Sequence, residues 1–133
     1  MMRKTAVTAF VLIVWFSLPV LGKSDIEIDT LVLDQTRTRS GQEFYREFVS
    51  LWETPKGISG FNIRIKERPD ARWGSMIFIY VDDRMVFRCI VGRRHEEIME
   101  MVERSIRTVI MHLYRRSFEK GKLKEEDLLG DGM

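Results

Sequence analysis

Two histidines are the residues of this sequence that could most directly support metal binding or hydrolysis. The stretch His95-Glu96-Glu97-Ile98-Met99 begins like the H-E-x-x-H helix of zinc proteases, where both histidines bind the metal and the glutamate serves as base. Met99 occupies the position of the second histidine, so the zinc pair is incomplete. His112 lies too far along the same predicted helix to share a metal with His95. The sequence therefore predicts no catalytic residues, no metal site and no cofactor.

The possible nucleophiles lack the neighbours that would activate them. Cys89 is the only cysteine, so the chain forms no internal disulfide, and its thiol is either a buried small hydrophobe or part of an intermolecular bridge. Ser75 follows Trp73-Gly74 without the pattern of a nucleophile elbow. A hydrolase that uses His95 and nearby carboxylates remains the catalytic alternative, and we expect the protein not to be an enzyme.

Arginine and tryptophan cluster around one predicted turn. Arg68, Arg72 and Trp73 flank the Pro69-Asp70 dipeptide. In a local interpretation an arginine stacks on Trp73 and pairs with Glu67. In a functional interpretation Arg72 and Trp73 form a fixed recognition corner for a partner. The sequence does not choose between these interpretations.

The elements that position these residues follow from hydrophobic periodicity and turn signals. Ser40 and Glu43 have the spacing of a capping box and predict the start of a helix. Residues 23–35 alternate weakly and form either a short edge strand or a mobile segment. The predicted elements are a helix at 40–53, strands at 60–67, 75–81 and 84–91, and a helix at 94–118. This order predicts an α+β fold with an N-terminal helix, a three-stranded antiparallel β-meander and a long C-terminal helix.

The hairpin around Asp82-Asp83 is predicted to carry large apolar side chains on both faces. A two-residue turn pairs Tyr80 with Met85 and Phe78 with Phe87. The aromatic face then holds Met76, Phe78, Tyr80, Met85, Phe87 and Cys89, and the aliphatic face holds Ile77, Ile79, Val81, Val86 and Ile90, with Arg88 among them. We assign the aliphatic face to the core. The aromatic face either lies under the second helix of a two-sided fold or meets another chain.

The first 22 residues have the pattern of a secretory signal peptide. Arg3 and Lys4 precede about a dozen apolar residues, and Val20-Leu21-Gly22 offers a cleavage site. The chain has 22 Lys and Arg against 20 Asp and Glu, so loss of Arg3 and Lys4 leaves no net charge. Nucleic-acid binding is therefore not indicated. We predict a signal peptide at 1–22, one α+β adaptor domain at 23–118 and a mobile polar, acidic tail at 119–133.

Two stretches together resemble the curli assembly factor family CsgE. They are GQEFYREFVSLWE at 41–53 and ERPDARWGSMIFIYVDDRMVF at 67–87. The long turn motif feeding a strand is the more specific of the two, and the resemblance covers residues 36–91 well.

The resemblance implies a role in the periplasm of Gram-negative bacteria without catalysis or cofactor. Members of this family assemble into a ring of about nine subunits, a closed homo-oligomer. The ring caps the outer-membrane curli export pore, directs unfolded curli amyloid subunits into it and restrains their premature fibrillation. The alternative from the residues alone is a monomeric periplasmic module that binds a ligand or a protein.

A head-to-tail ring needs two different complementary patches on each subunit. Trp52, at the end of the first predicted helix, and Phe87, on the aromatic face, are anchors of the kind that dominate interfaces. We therefore predict that Trp52 lies on one patch and Phe87 on the other. The full set of predicted interface residues is Trp52, Phe78, Tyr80, Phe87, Arg72 and Trp73.

Overall fold

Within residues 30–130, two helices and four strands form an α+β fold, in agreement with the predicted class. The computed structural model describes residues 30–130, so the predicted signal peptide lies outside the described residues. In chain order the elements are β1 (Thr30–Gln35), α1 (Arg39–Leu51), β2 (Phe61–Asp70), β3 (Gly74–Val81), β4 (Arg84–Val91) and α2 (His95–Gly130). The long C-terminal helix is confirmed.

The sheet is mixed and has one strand more than predicted. Its order is β1-β2-β3-β4, in which β2, β3 and β4 form the expected antiparallel meander. β1 precedes α1 and pairs parallel to β2, with Thr30 opposite Phe61. Of the two interpretations of residues 23–35, the edge strand is thus correct for Thr30–Gln35. Local alternation could not reveal this pairing, because a parallel partner is reached only through the crossover helix α1.

Both helices cover the same face of the sheet. Alternate residues of β2 and β3, among them Ile63, Ile65, Ile77 and Ile79, are fully buried. They form one cluster with Phe44 and Phe48 of α1 and with four apolar residues of α2, Ile98, Val102, Val109 and Leu113. The two-sided core considered for the hairpin is therefore wrong, and the opposite face of the sheet carries no helix in the described part of the chain.

A β-bulge in β4 overturns the predicted pairing of Phe78 with Phe87. Tyr80 faces Met85 as predicted, but Ile79 faces Phe87, so Val86 is an extra residue without a partner in β3. From the bulge onwards every side chain of β4 changes face. Phe87 and Cys89 therefore lie on the core face, while Arg88 and Ile90 lie on the opposite face. This exchange also removes the unpaired charge that Arg88 would have placed in the core.

The first helix begins earlier than the capping-box spacing indicated. Thr38 is the N-cap, and its hydroxyl accepts a hydrogen bond from the Gly41 amide at 3.2 Å. The buried Glu67 carboxylate of β2 accepts hydrogen bonds from the Arg37 and Thr38 amides and from the Thr38 hydroxyl. A Cβ at Gly41 would overlap this carboxylate. The start of α1 is therefore set by a contact with β2 and not by Ser40 and Glu43.

The second helix continues to Gly130, beyond the predicted end at Phe118. Leu113 is its last buried apolar residue, and Arg116 pairs with Asp82 in the β3–β4 turn. From residue 117 onwards every described side chain is exposed, so the final turns project from the domain. Residues 119–130 of the predicted tail are helical, whereas the division into a domain and a mobile tail stays a prediction. Among residues 30–130, no helix combines the length and apolar character needed to cross a membrane.

Candidate interaction surfaces

The sheet face opposite the two helices combines aromatic, aliphatic and cationic side chains. We call it the open face and define it by Leu31 and Leu33 of β1, Arg64, Lys66 and Arg68 of β2, Met76, Phe78 and Tyr80 of β3, and Met85, Arg88 and Ile90 of β4. Four of its apolar residues are between 41% and 52% exposed, namely Leu31, Leu33, Met85 and Ile90. Such a surface is typical of a protein interface.

Cations and aromatic rings alternate across the strands of the open face. Arg64 lies opposite Tyr80, with its guanidinium carbon 4.8 Å from the ring centroid, and reaches Asp83 at 3.8 Å. Phe78 lies between Lys66 on one side and Arg88 on the other. Packing on the Tyr80 ring holds the Arg64 guanidinium in place, and Lys66 and Arg88, which flank Phe78, are exposed to a partner.

Phe78 and Tyr80 lie on the open face, as predicted. Phe87 was predicted on the same face but lies on the core face. Phe87 packs against the core cluster and is only partly exposed. The face assignment of Phe87 is therefore wrong because of the bulge. Its role at an interface stays a prediction, since the partly exposed ring could still touch another chain at the edge of the sheet.

Trp52 closes one end of the core. Its ring stacks on Phe48 at 5.5 Å between centroids and meets Phe61 edge-on at 6.3 Å. Its indole nitrogen is buried and has no hydrogen-bond partner among the described residues. Truncating Trp52 would therefore weaken the subunit itself. A loss of oligomer after Trp52→Ala would not by itself assign this residue to an interface.

Arg72 and Trp73 form the rim of a cleft at the other end of the domain. The Asp70 carboxylate accepts hydrogen bonds from the backbone amides of both residues, which fixes the turn. Trp73 is 71% exposed. The cleft has a volume of about 1020 Å³, and its further lining comes from the first turns of α1 and α2. The predicted pairing of this corner with Glu67 is not observed, because the Glu67 carboxylate binds the start of α1 instead.

A second apolar surface, which the sequence analysis missed, lies on the outer side of α2. We call it the outer stripe and define it by Met111, Tyr114, Phe118 and Leu129, which are 64%, 46%, 73% and 77% exposed. Met111, Tyr114 and Phe118 have the spacing i, i+3, i+7 and share one side of the helix. Val109 and Phe118 are nine residues, or two and a half turns, apart, so the stripe points away from the core. The spacing was visible in the sequence, but Tyr114 was interpreted as broadening the core-facing side of the predicted helix.

Of the residues first considered for chemistry, His95 joins the two helices and Cys89 is partly buried. Nδ1 of His95 lies 2.6 Å from Oε1 of Glu43, so the ring joins the first turns of α1 and α2. This hydrogen bond raises the pKa of His95. Burial raises the pKa of the Cys89 thiol to about 12, which keeps it protonated and unreactive at neutral pH. Within residues 30–130, no three His, Cys, Asp or Glu side chains are grouped to hold a metal ion.

Known proteins match nearly the whole described domain. The sequence profile of the family "Curli assembly protein CsgE" matches residues 28–132. The "Curli production assembly/transport component CsgE" of Salmonella typhi is 33% identical over 107 residues, which cover 80% of this chain and 79% of that protein. The protein of the same name from Escherichia coli O157:H7 is 32% identical over 107 residues, 80% of this chain and 81% of its own length.

Proposed function

This chain belongs to the CsgE family of curli assembly proteins, and from that membership we propose that it is a ring-forming secretion adaptor of the periplasm. In this proposal several copies form a homo-oligomer, a nonamer by the family resemblance, which caps the periplasmic mouth of the outer-membrane curli export pore. The ring directs unfolded curli subunits into the pore and restrains their fibrillation before export.

The open face is the observation that supports this proposal most strongly. Among the described residues, nothing in a single subunit covers Phe78, Tyr80 and the four partly exposed apolar residues that lie beside four cations. Soluble monomers rarely expose a contiguous surface of this kind without a partner. A homo-oligomer in which each subunit covers the open face of its neighbour removes that exposure.

The corner cleft is the surface that we propose for a partner other than the protein itself. Trp73 offers a large exposed ring, and the Asp70 carboxylate fixes the turn that carries it. Arg72 beside it supplies a donor for acidic or carbonyl groups of an extended polypeptide. Neither side chain contributes to the core, so both are free to contact a partner.

Fibre formation tests the adaptor function directly. Added at less than equimolar amounts to the curli subunit of the same organism, the purified protein should lengthen the lag before thioflavin fluorescence rises. Trp73→Ala should shorten this lag towards that of the subunit alone. Leu123→Ala is the matched control, because Leu123 is also exposed but lies on the projecting part of α2. An unchanged lag with folded wild-type protein would contradict the client-restraining role.

The alternative function is a monomeric binding module whose ligand occupies the corner cleft. The cleft volume of about 1020 Å³ is sufficient for a small molecule or a peptide segment. Light scattering after size-exclusion chromatography separates the two functions, because an adaptor ring has several times the mass of one chain. A monomeric mass at working concentration would favour the binding module.

A further inference from the structure

We propose that the outer stripe of α2, together with the cations beside it, docks on a membrane surface that carries anionic lipid headgroups. The helix lies along this surface and does not span the bilayer. The inference does not depend on the proposed ring, because one copy of the chain carries the whole docking surface. This surface lies on the side of the domain opposite the open face.

The apolar side chains of the docking surface project away from the core. Val109, in the middle of the buried side of α2, lies about 180° around the helix from Phe118. Met111 and Tyr114 lie within about 40° of Phe118, and the three side chains are between 46% and 73% exposed. An interfacial helix carries a row of this kind on the side that enters the lipid.

Three cations lie on the same side of the helix as this apolar row. Arg107, Arg115 and Lys122 are exposed and lie within about 60° of Phe118. None of the three forms an ion pair with an acidic group among residues 30–130. Their aliphatic stems can cover the apolar row while their charges reach the lipid phosphates. The exposed apolar side of α2 is thus also its cationic side, which favours an anionic surface.

The acidic residues of α2 limit the docking surface to the middle of the helix. Residues 107–122, about 22 Å of helix, include five Arg and Lys but only one acidic residue, Glu119. Glu119 lies about 100° around the helix from Phe118 and therefore outside the cationic side. Glu103 before this segment and Glu125 after it return acidic groups to the outer side and mark its two ends.

A lipid surface fits this side of α2 better than a polypeptide does. Among the described residues, the depression beside Phe118 is lined by α2 alone. A docked peptide helix needs a groove with two walls, and an extended peptide needs a free strand edge. Acyl chains and headgroups need neither, because they adapt to a convex row of side chains. Tyr114, at the border of the row, has the amphipathic ring that is enriched at membrane interfaces.

Flotation with lipid vesicles tests the docking. Purified protein should float with vesicles of two thirds phosphatidylethanolamine and one third phosphatidylglycerol, and much less with vesicles of phosphatidylcholine. Phe118→Asp should weaken binding at least about tenfold, because it places an anion in the apolar row. Arg115→Gln should weaken binding about fivefold, the effect of one cation near an anionic membrane. High salt should reduce the difference between Arg115→Gln and wild type.

Two controls make similar changes on other surfaces. Leu123→Asp should keep the wild-type affinity, because Leu123 is 64% exposed but lies about 140° around the helix from Phe118. Arg88→Gln removes an exposed cation of the open face and should also keep the wild-type affinity. Circular dichroism checks that each variant is folded.

A tryptophan probe shows whether the apolar row enters the lipid. The emission of Phe118→Trp should shift to shorter wavelength when anionic vesicles are added, beyond any shift of the wild-type protein. The emission of Leu123→Trp should not show this additional shift. The readout reports on one side chain, so it does not depend on the number of copies in an oligomer.

Several results would overturn the inference. Folded wild-type protein that does not float, or that floats equally well with phosphatidylcholine, would exclude an anionic lipid surface as the partner. Folded Phe118→Asp that binds like wild type would exclude the outer stripe. A loss with Arg88→Gln as large as that with Arg115→Gln would move the contact to the open face. Light scattering tests the ring separately, so either proposal can fail alone.

Discussion

Glu67 fixes the start of α1 at the end of the domain that carries Arg72 and Trp73. Burial would raise the pKa of this carboxyl, but hydrogen bonds from Ser75, Thr38 and the amides of Arg37 and Thr38 outweigh that effect and lower its pKa below 4.5. The ionised carboxylate thereby satisfies amides at the start of α1 that would otherwise be buried without partners. The sequence suggested Glu67 only as an ion-pair partner within its own turn. Its donors on Arg37 and Thr38 lie about 30 residues earlier, a distance that no local pattern reports.

Replacing Glu67 by Gln should destabilise the domain by about 1–3 kcal/mol at pH 7, because an amide leaves some of these buried donors unsatisfied. A carboxyl with a lowered pKa stabilises the fold above its ordinary value of 4.5, and this contribution is lost as the pH falls through the folded pKa. The variant should therefore lose less stability than the wild type between pH 7 and pH 3. Urea unfolding at both pH values measures the effect, with exposed Glu53→Gln as control. Equal pH slopes for wild type and Glu67→Gln would contradict this role.

At the scale of elements, the sequence predicted the bounds of β4 and its pairs next to the turn, but it did not predict the bulge within the strand. The extra residue Val86 has no distinctive side chain, because a bulge depends on the partner strand and on packing more than on composition. One inserted residue was sufficient to exchange Phe87 and Arg88 between the two faces. Patterning thus identified the core strands correctly but not the register of the edge strand.

The register of the hairpin predicts that replacing Phe78 and replacing Phe87 by alanine lower the free energy of unfolding by different amounts. Phe87→Ala should lower the free energy of unfolding by about 2 kcal/mol, less than a fully buried phenylalanine would cost, because its ring is only partly buried in the core. Phe78→Ala should cost less than about 1 kcal/mol within the subunit, since its ring lies on the open face. Urea unfolding at low protein concentration, where association does not contribute, compares them. A larger cost for Phe78→Ala would mean that the hairpin lacks the bulge.

The whole molecule has one layer of helices and one layer of sheet. Two outer surfaces therefore remain, the open face of the sheet and the outer side of the helices. The sequence predicted the helix α2 and the aliphatic core face of the hairpin, because each follows a single period along the chain. It did not show that both helices share one face, since that arrangement depends on the parallel pairing of β1 with β2 across α1. The open face and the outer stripe became recognisable as separate surfaces only when this arrangement was known.

The projecting end of α2 should contribute little to the stability of the subunit. A chain that ends at Phe118 should unfold within about 0.5 kcal/mol of the full chain, because every described side chain after it is exposed. A chain that ends at Val109 is the control. It loses buried Leu113 and the Arg116–Asp82 pair and should be destabilised by roughly 3–5 kcal/mol. Urea unfolding under monomeric conditions measures both, and a large loss for the first truncation would show that the final turns pack on the domain.

The bulge also makes the free edge of β4 a poor template for co-aggregation. A growing fibre recruits a strand edge that offers a long, even row of amides and carbonyls. Val86 interrupts that row, and the exposed Arg84 and Arg88 place a cation on either side of the interruption. In the proposed role beside amyloid subunits, such an edge strand would resist incorporation into their fibres.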